Sequence, residues 1–162
     1  EDTYFNVIRS KTAVLFAAAC SGAALLSEQN SQQQALYDYG LNLGIAFQLI
    51  DDILDYEGDP AETGKNVGDD LAEGKPTLPL IFILQNGSAT QKQQVQRAIS
   101  EKSADELDSI VAAVKQSGAL DYCRDAAQKY SQAAIHALQS LPPSAHKDAL
   151  SKLCELALQR KS

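Results

Sequence analysis

Apolar positions along this chain recur every three or four residues, and no useful stretch alternates in the two-residue rhythm of a strand, so the pattern predicts an all-α fold. A first helix is expected over about residues 2–26. Its second half, AVLFAAACSGAALL, is rich in small side chains suited to close packing against a neighbour. Ser31 with Gln34 three residues later reads as a capping box opening a second helix, which runs through Leu36, Leu43, Phe47, Ile50 and Leu54 to about Tyr56. Gly58 and Pro60 stop it. Residues 57–75 read as a loop, because Gly, Pro, Asp and Asn recur too often there for a stable element. A short apolar helix follows Pro76 to about Leu84 and closes at Asn86 and Gly87. Later starts are marked by Thr90, by Ser103 with Glu106 as a second capping box, by Ser117 or Gly118, and by Ser144 after Pro142 and Pro143. Their helices are expected to end near residues 100, 116, 140 and 160.

At 162 residues and 44% hydrophobic composition, the chain is long enough for one domain or part of one. It contains no Met and begins at Glu1, a residue before which an initiator Met is not normally trimmed, so a piece of a longer polypeptide is expected. The longest apolar run, Ala13 to Leu26, is broken by Ser21 and Gly22 and falls short of the roughly 20 residues of a membrane span. It also lacks the basic flank and cleavage pattern of a signal peptide, so no transmembrane segment and a cytoplasmic location are expected. Cys20, Cys123 and Cys154 are widely spaced, each inside an apolar helical pattern, and read as buried free thiols in a reducing compartment. His136 and His146 have no partner spacing and are expected to be exposed.

Charge changes the picture most. Between Asp51 and Lys75 stand nine acidic and two basic residues, so this stretch alone carries −7, the net charge of the whole chain. An acidic chain of this kind argues against nucleic acid as a partner. Self-repulsion on that scale is unfavourable unless solvent or cations relieve it, and the acids begin inside an apolar helix where solvent is limited. Asp51 and Asp55 are i and i+4 on the second helix, with Asp52 about 100° round to flank them. Gln48 lies on the same polar stripe. An all-oxygen set without His or Cys suits magnesium better than zinc. Magnesium usually binds through one or two carboxylates together with substrate phosphates, so a phosphate-bearing substrate is implied. A calcium loop starting at Asp55 fails, since its sixth position is Pro60 instead of Gly and its twelfth is Asn66 instead of Glu.

Phe47-Gln48 ahead of Asp51-Asp52-Ile53-Leu54-Asp55, then Thr63-Gly64-Lys65, Gly68-Asp69-Asp70 and Gly74-Lys75-Pro76-Thr77-Leu78-Pro79, resembles the second aspartate-rich region of the trans-isoprenyl diphosphate synthases. The ending K-P-T-L-P is similar to the longer-chain polyprenyl members, of the octaprenyl kind, and Lys11-Thr12 resembles the family's Lys-Thr pair. The resemblance spans residues 1–162 as the C-terminal part of a single synthase domain, an incomplete helical bundle of the isoprenoid synthase type.

That resemblance implies a prenyltransferase that condenses isopentenyl diphosphate with an allylic diphosphate to build a polyprenyl chain for quinone side chains. It implies magnesium on Asp51, Asp52 and Asp55, with Asp69 and Asp70 in support. It gives Lys11, Lys65 and Lys75 to diphosphate oxygens, Thr12 and Gln48 to the allylic cation, and Phe47 to isopentenyl diphosphate. Lys11, Thr12, Gln48 and Lys65 are then the expected catalytic residues. A second D-D-x-x-D with following arginines, which the family places on an upstream helix, is missing here. The chain alone is therefore expected to be inactive, and to partner with a second copy or with the N-terminal half of the same enzyme. The alternative from another class is a non-catalytic subunit of a two-component synthase. A terpene cyclase also ionises diphosphates, but the K-T, F-Q and G-K-P-T context speaks against it.

Overall fold

The computed structural model describes residues 1–58, 66–102 and 105–160. Every regular element among the described residues is helical, as the periodicity predicts. In chain order they are α1 (Asp2–Leu26), α2 (Gln33–Glu57), α3 (Asp69–Ala72), α4 (Leu78–Asn86), α5 (Ala89–Glu101), α6 (Leu107–Gln116), α7 (Ala119–Ala137) and α8 (Ala145–Leu158).

Several expectations shift in detail. The first helix is interrupted by a π-helical turn at Arg9–Ala13, one extra residue in the helical register that no Gly or Pro announces. As a continuous 25-residue element, Asp2–Leu26 is long and apolar enough to cross a membrane by length and composition, which the shorter run read from sequence did not suggest. The capping box expected at Ser31 gives way to a single 3₁₀ turn, Asn30–Gln32, with no side-chain cap. A capping box forms instead at Ser88 and Gln91, which exchange backbone and side-chain bonds of 2.8 and 3.3 Å, so the cap of α5 lies two residues before Thr90. Ser103 lies outside the described residues, and Glu106 takes the cap position of α6 without a side-chain bond. Ser144 caps α8 as expected, accepting from the Lys147 backbone N–H at 3.2 Å. The supposed loop over 57–75 contains α3, a single turn too short to show a period.

Two compact units emerge from the packing. One comprises residues 2–50 and 126–160. Its core gathers Tyr39 and Leu43 of α2, Ala134 of α7, Leu138, and Cys154 and Ala157 of α8, with Phe16, Cys20, Leu36 and Leu150 against them. The Tyr39 hydroxyl donates to the Leu150 carbonyl at 2.9 Å, which satisfies the polar end of a fully buried ring. The inner face of α1 is lined by small buried residues, Ala13, Ala17 and Ala24, and two glycines of α2 approach it closely. A Cβ at Gly40 would lie 2.5 Å from the Phe16 carbonyl oxygen, and one at Gly44 would lie 2.6 Å from the Ala13 Cα. The outer face of α1 leaves Val7, Leu15, Leu25 and Leu26 exposed.

The other unit comprises residues 51–125 together with Glu1 among the described residues. Here α4 packs on α5 and α6, and α5 packs on α3 and α6. Leu78, Leu80 and Ile83 of α4, Val95 of α5, and Ile110 and Val114 of α6 are fully or nearly fully buried, and with Tyr56 and Leu71 they build this unit's interior. Gly68 starts α3 in the left-handed region (φ +81°), where a Cβ would also sit 2.2 Å from a methyl of Leu107. All three cysteines are free; Cys123 and Cys154 are buried as expected, whereas Cys20 is only half-buried. His136 and His146 are exposed.

Candidate functional site

The acidic group is built on the end of α2 and the turn that leads into α3. Asp52 and Asp55 are buried, only 2% and 6% exposed, while Asp51, Asp69 and Asp70 are half-buried. The chain returns onto Asp55 after the undescribed stretch: the Gly68 N–H donates to the Asp55 carbonyl at 2.9 Å, and the Asp70 N–H faces both Asp55 carboxylate oxygens at 3.4 Å. Asp69 accepts from the Asn66 N–H at 3.1 Å, which ties the turn together. Burial pushes the Asp55 carboxyl up to about 7, helped by the charges of Asp70, Asp69 and Asp52, against the opposing effect of the Asp70 N–H.

Lys75 closes this group. Its ammonium lies 2.9 Å from Asp70 and 2.6 Å from Glu73, and those two bonds raise its pKa. The Tyr56 hydroxyl is buried against Thr77, and its ionisation is driven up, chiefly by burial. The buried Cys123 thiol is pushed up to about 12 by burial and by the charge of Asp52, which disfavours the reactive thiolate.

Among the described residues, no group of three or more His, Cys, Asp or Glu is gathered tightly enough to hold a metal ion by itself. Crowded, buried, all-oxygen donors on Asp52 and Asp55 nonetheless fit a hard divalent cation shared with phosphate oxygens, because such an ion offsets the burial and the like charges that raise Asp55. Lys65, with Asp59, Glu62, Thr63 and Gly64, lies outside the described residues.

The second group belongs to the other unit. The π-turn carries Lys11 and Thr12; Lys11 is exposed, and the Thr12 hydroxyl donates to the Gln48 side-chain oxygen at 2.9 Å. π-turns of this kind recur at functional sites because the extra residue re-aims side chains that a regular helix would point elsewhere. Phe47 packs between the Phe16 ring, at 5.4 Å between centroids, and the Arg160 guanidinium, 4.0 Å above its face. Arg160 is thus seated on an aromatic ring and is not the frayed tail its position suggests, while Lys161 lies outside the described residues. Sequence reasoning also passed over Gly40 and Gly44. Their signal was present: two glycines four apart, opposite Ala13 and Ala17, also four apart.

Structure therefore brings Thr12 to Gln48, and Asp70 to both Asp55 and Lys75. The family model for polyprenyl synthetase matches residues 1–116. The chain belongs to that family. It is 44% identical over 160 residues to the all-trans-nonaprenyl-diphosphate synthase (geranyl-diphosphate specific) of Rhodobacter capsulatus, covering 99% of this chain and 49% of that protein. It is 45% identical over 163 residues to the octaprenyl diphosphate synthase of Escherichia coli K12, covering 99% and 50%. A crystal structure of polyprenyl synthase from Caulobacter crescentus, complexed with calcium and isoprenyl diphosphate, superposes with a TM-score of 0.93 at 39% identity, over all of this chain and 50% of that one. The fold of this polyprenyl synthetase chain is thus the all-helical fold of that structure, and the chain spans about half the length of the curated relatives it matches.

Proposed function

We propose that the chain is the C-terminal part of a single polyprenyl diphosphate synthase domain, a trans-prenyltransferase that adds isopentenyl diphosphate to an allylic diphosphate. The observation that carries this reading is the buried Asp52–Asp55 pair with Asp70 folded against Asp55 and Lys75 bound in turn to Asp70, in a chain of the polyprenyl synthetase family. Two buried carboxylates, one held near neutral pKa by burial and by neighbouring charges, are costly for folding and useful for gathering cations.

Each residue has a task in that reaction. Asp51 and Asp55 would hold magnesium, with Asp52, Asp69 and Asp70 supporting them. Magnesium, when bound, supplies the positive charge that offsets the negative charge developing on the leaving diphosphate. Lys11, Lys65 and Lys75 donate N–H bonds to diphosphate oxygens, for which Lys75 must exchange Glu73 or Asp70 for phosphate. The Thr12–Gln48 pair holds two side-chain oxygens in a fixed relation, suited to facing the allylic cation while the departing diphosphate takes the proton. Phe47, braced by Phe16 and Arg160, offers a ring edge to isopentenyl diphosphate.

In this reading the enzyme is cytoplasmic, elongates chains for quinone side groups, and works as a homodimer once the remaining half is supplied. The present chain alone carries one acidic motif and is inactive. The test is to incubate it with farnesyl diphosphate and labelled isopentenyl diphosphate and extract the products. No prenyl product is expected; turnover by the chain alone overturns the half-site reading.

A further inference from the structure

Thr12 and Gln48 are 36 positions apart, on α1 and α2, yet their side-chain oxygens meet at 2.9 Å. What sets this distance is the approach of the two helices one turn earlier on α2, where Gly44 is buried against Ala13, the last residue of the π-turn and the neighbour of Thr12. We propose that Gly44 is a positioning residue whose missing side chain brings Thr12 and Gln48 together. The functional weight of the pair rests on the reading above, whereas the packing argument stands by itself.

A methyl group at position 44 would lie 2.6 Å from the Ala13 Cα, 3.1 Å from its Cβ and 3.2 Å from the Phe16 ring, where ordinary contact begins at 3.4 Å. The closest of these atoms is backbone, so it cannot swing aside as a side-chain tip can. The helices would have to part by most of an ångström beside a hydrogen bond of 2.9 Å, and an O–H···O bond is usually made within about 3.0 Å. Phe16 also packs against Phe47, so the same methyl presses on the ring pair as well as the hydroxyl–amide pair. Gly40 provides the internal comparison. Its added Cβ would meet the Phe16 carbonyl oxygen at 2.5 Å and the Ala17 Cα at 2.8 Å, an equally tight fit one turn further from Gln48. Opening the helices at 40 pivots them about the preserved Gly44–Ala13 contact and leaves Thr12 and Gln48 in reach of each other.

The experiment compares Gly44→Ala with Gly40→Ala by NMR, following the nuclear Overhauser contact between the Thr12 methyl and the Gln48 side-chain amide. Both variants are expected to lose thermal stability; only Gly44→Ala is expected to lose the Thr12–Gln48 contact. Retention of the contact in Gly44→Ala, or its loss in both variants, overturns the proposal. Should Gly44→Ala not fold, the swap Gly44→Ala with Ala13→Gly keeps the volume at the crossing while retaining the Ala13 Cα clash, and is expected to lose the contact too; retention there overturns the proposal equally. Adding inorganic pyrophosphate with magnesium chloride to the unsubstituted chain separates the two ideas. If pyrophosphate moves no resonance while the glycine variants behave as stated, the positioning role holds and the diphosphate reading falls.

Discussion

Removing one carboxylate oxygen from the acidic cluster is expected to stabilise the metal-free protein. The Asp55 carboxyl is raised from 3.8 to about 7 by burial and by Asp70, Asp69 and Asp52. The folded state therefore holds that proton more tightly than the unfolded state, so stability falls as pH rises from about 4 to about 7 and stays low above it. At about 1.36 kcal/mol per unit the full penalty is about 4 kcal/mol. Solvent and counterion screening reduce it to about 2 kcal/mol. Asp55→Asn removes the charge and keeps an acceptor for the Asp70 N–H, so in EDTA at pH 8 it should melt about 4–8 °C higher than the unsubstituted chain. At pH 5, where the folded carboxyl is already protonated, the gain should drop to less than half. Circular dichroism melts at the two pH values measure it. An Asp55→Asn variant that is less stable at pH 8, or equally stabilised at both, would refute the argument that burial and like charges strain this site.

Three further expectations follow from packing. Gly68→Ala should cost about 1–2 kcal/mol in urea denaturation, because its backbone is left-handed and its added methyl meets Leu107. Tyr39→Phe should cost about 1 kcal/mol in the same assay, since the half-buried Leu150 carbonyl loses the Tyr39 hydroxyl while the ring packing is kept. The exposed apolar face of α1, with Leu15 68% and Leu26 90% exposed, should drive concentration-dependent self-association in sedimentation velocity. Leu15→Glu should weaken that association by about tenfold, or roughly 1.4 kcal/mol; an unchanged distribution would show that α1 is not the contact.

Periodicity was enough to read α2 from its sequence, because twenty-five residues of apolar spacing outweigh two internal glycines. It was also enough to place Asp51, Asp52 and Asp55 along one helix, since helical spacing alone fixes which residues share a stripe. The π-turn at Arg9–Ala13 was not legible: it inserts one residue without breaking the hydrophobic pattern. Nor was α3, whose four residues are held by bonds to Asp55 that come from elsewhere in the fold. Ser31 and Gln34 carry the letters of a capping box, yet a 3₁₀ turn forms there, while Ser88 and Gln91 carry the same letters and use them. Local signals specify what a turn can do, and the neighbouring chain selects which option is taken. The seat of Arg160 on Phe47 and the close approach at Gly44 join residues far apart in sequence, where spacing is silent.

Titration calorimetry of the chain with farnesyl diphosphate, run with magnesium chloride and again with EDTA, reaches the proposed chemistry with a single ligand. Heat of binding should appear only with magnesium, and should fall at least tenfold in affinity in Asp55→Asn and in Lys75→Gln. Binding that is indifferent to magnesium, or undiminished in both variants, would contradict a diphosphate site built on Asp55 and Lys75.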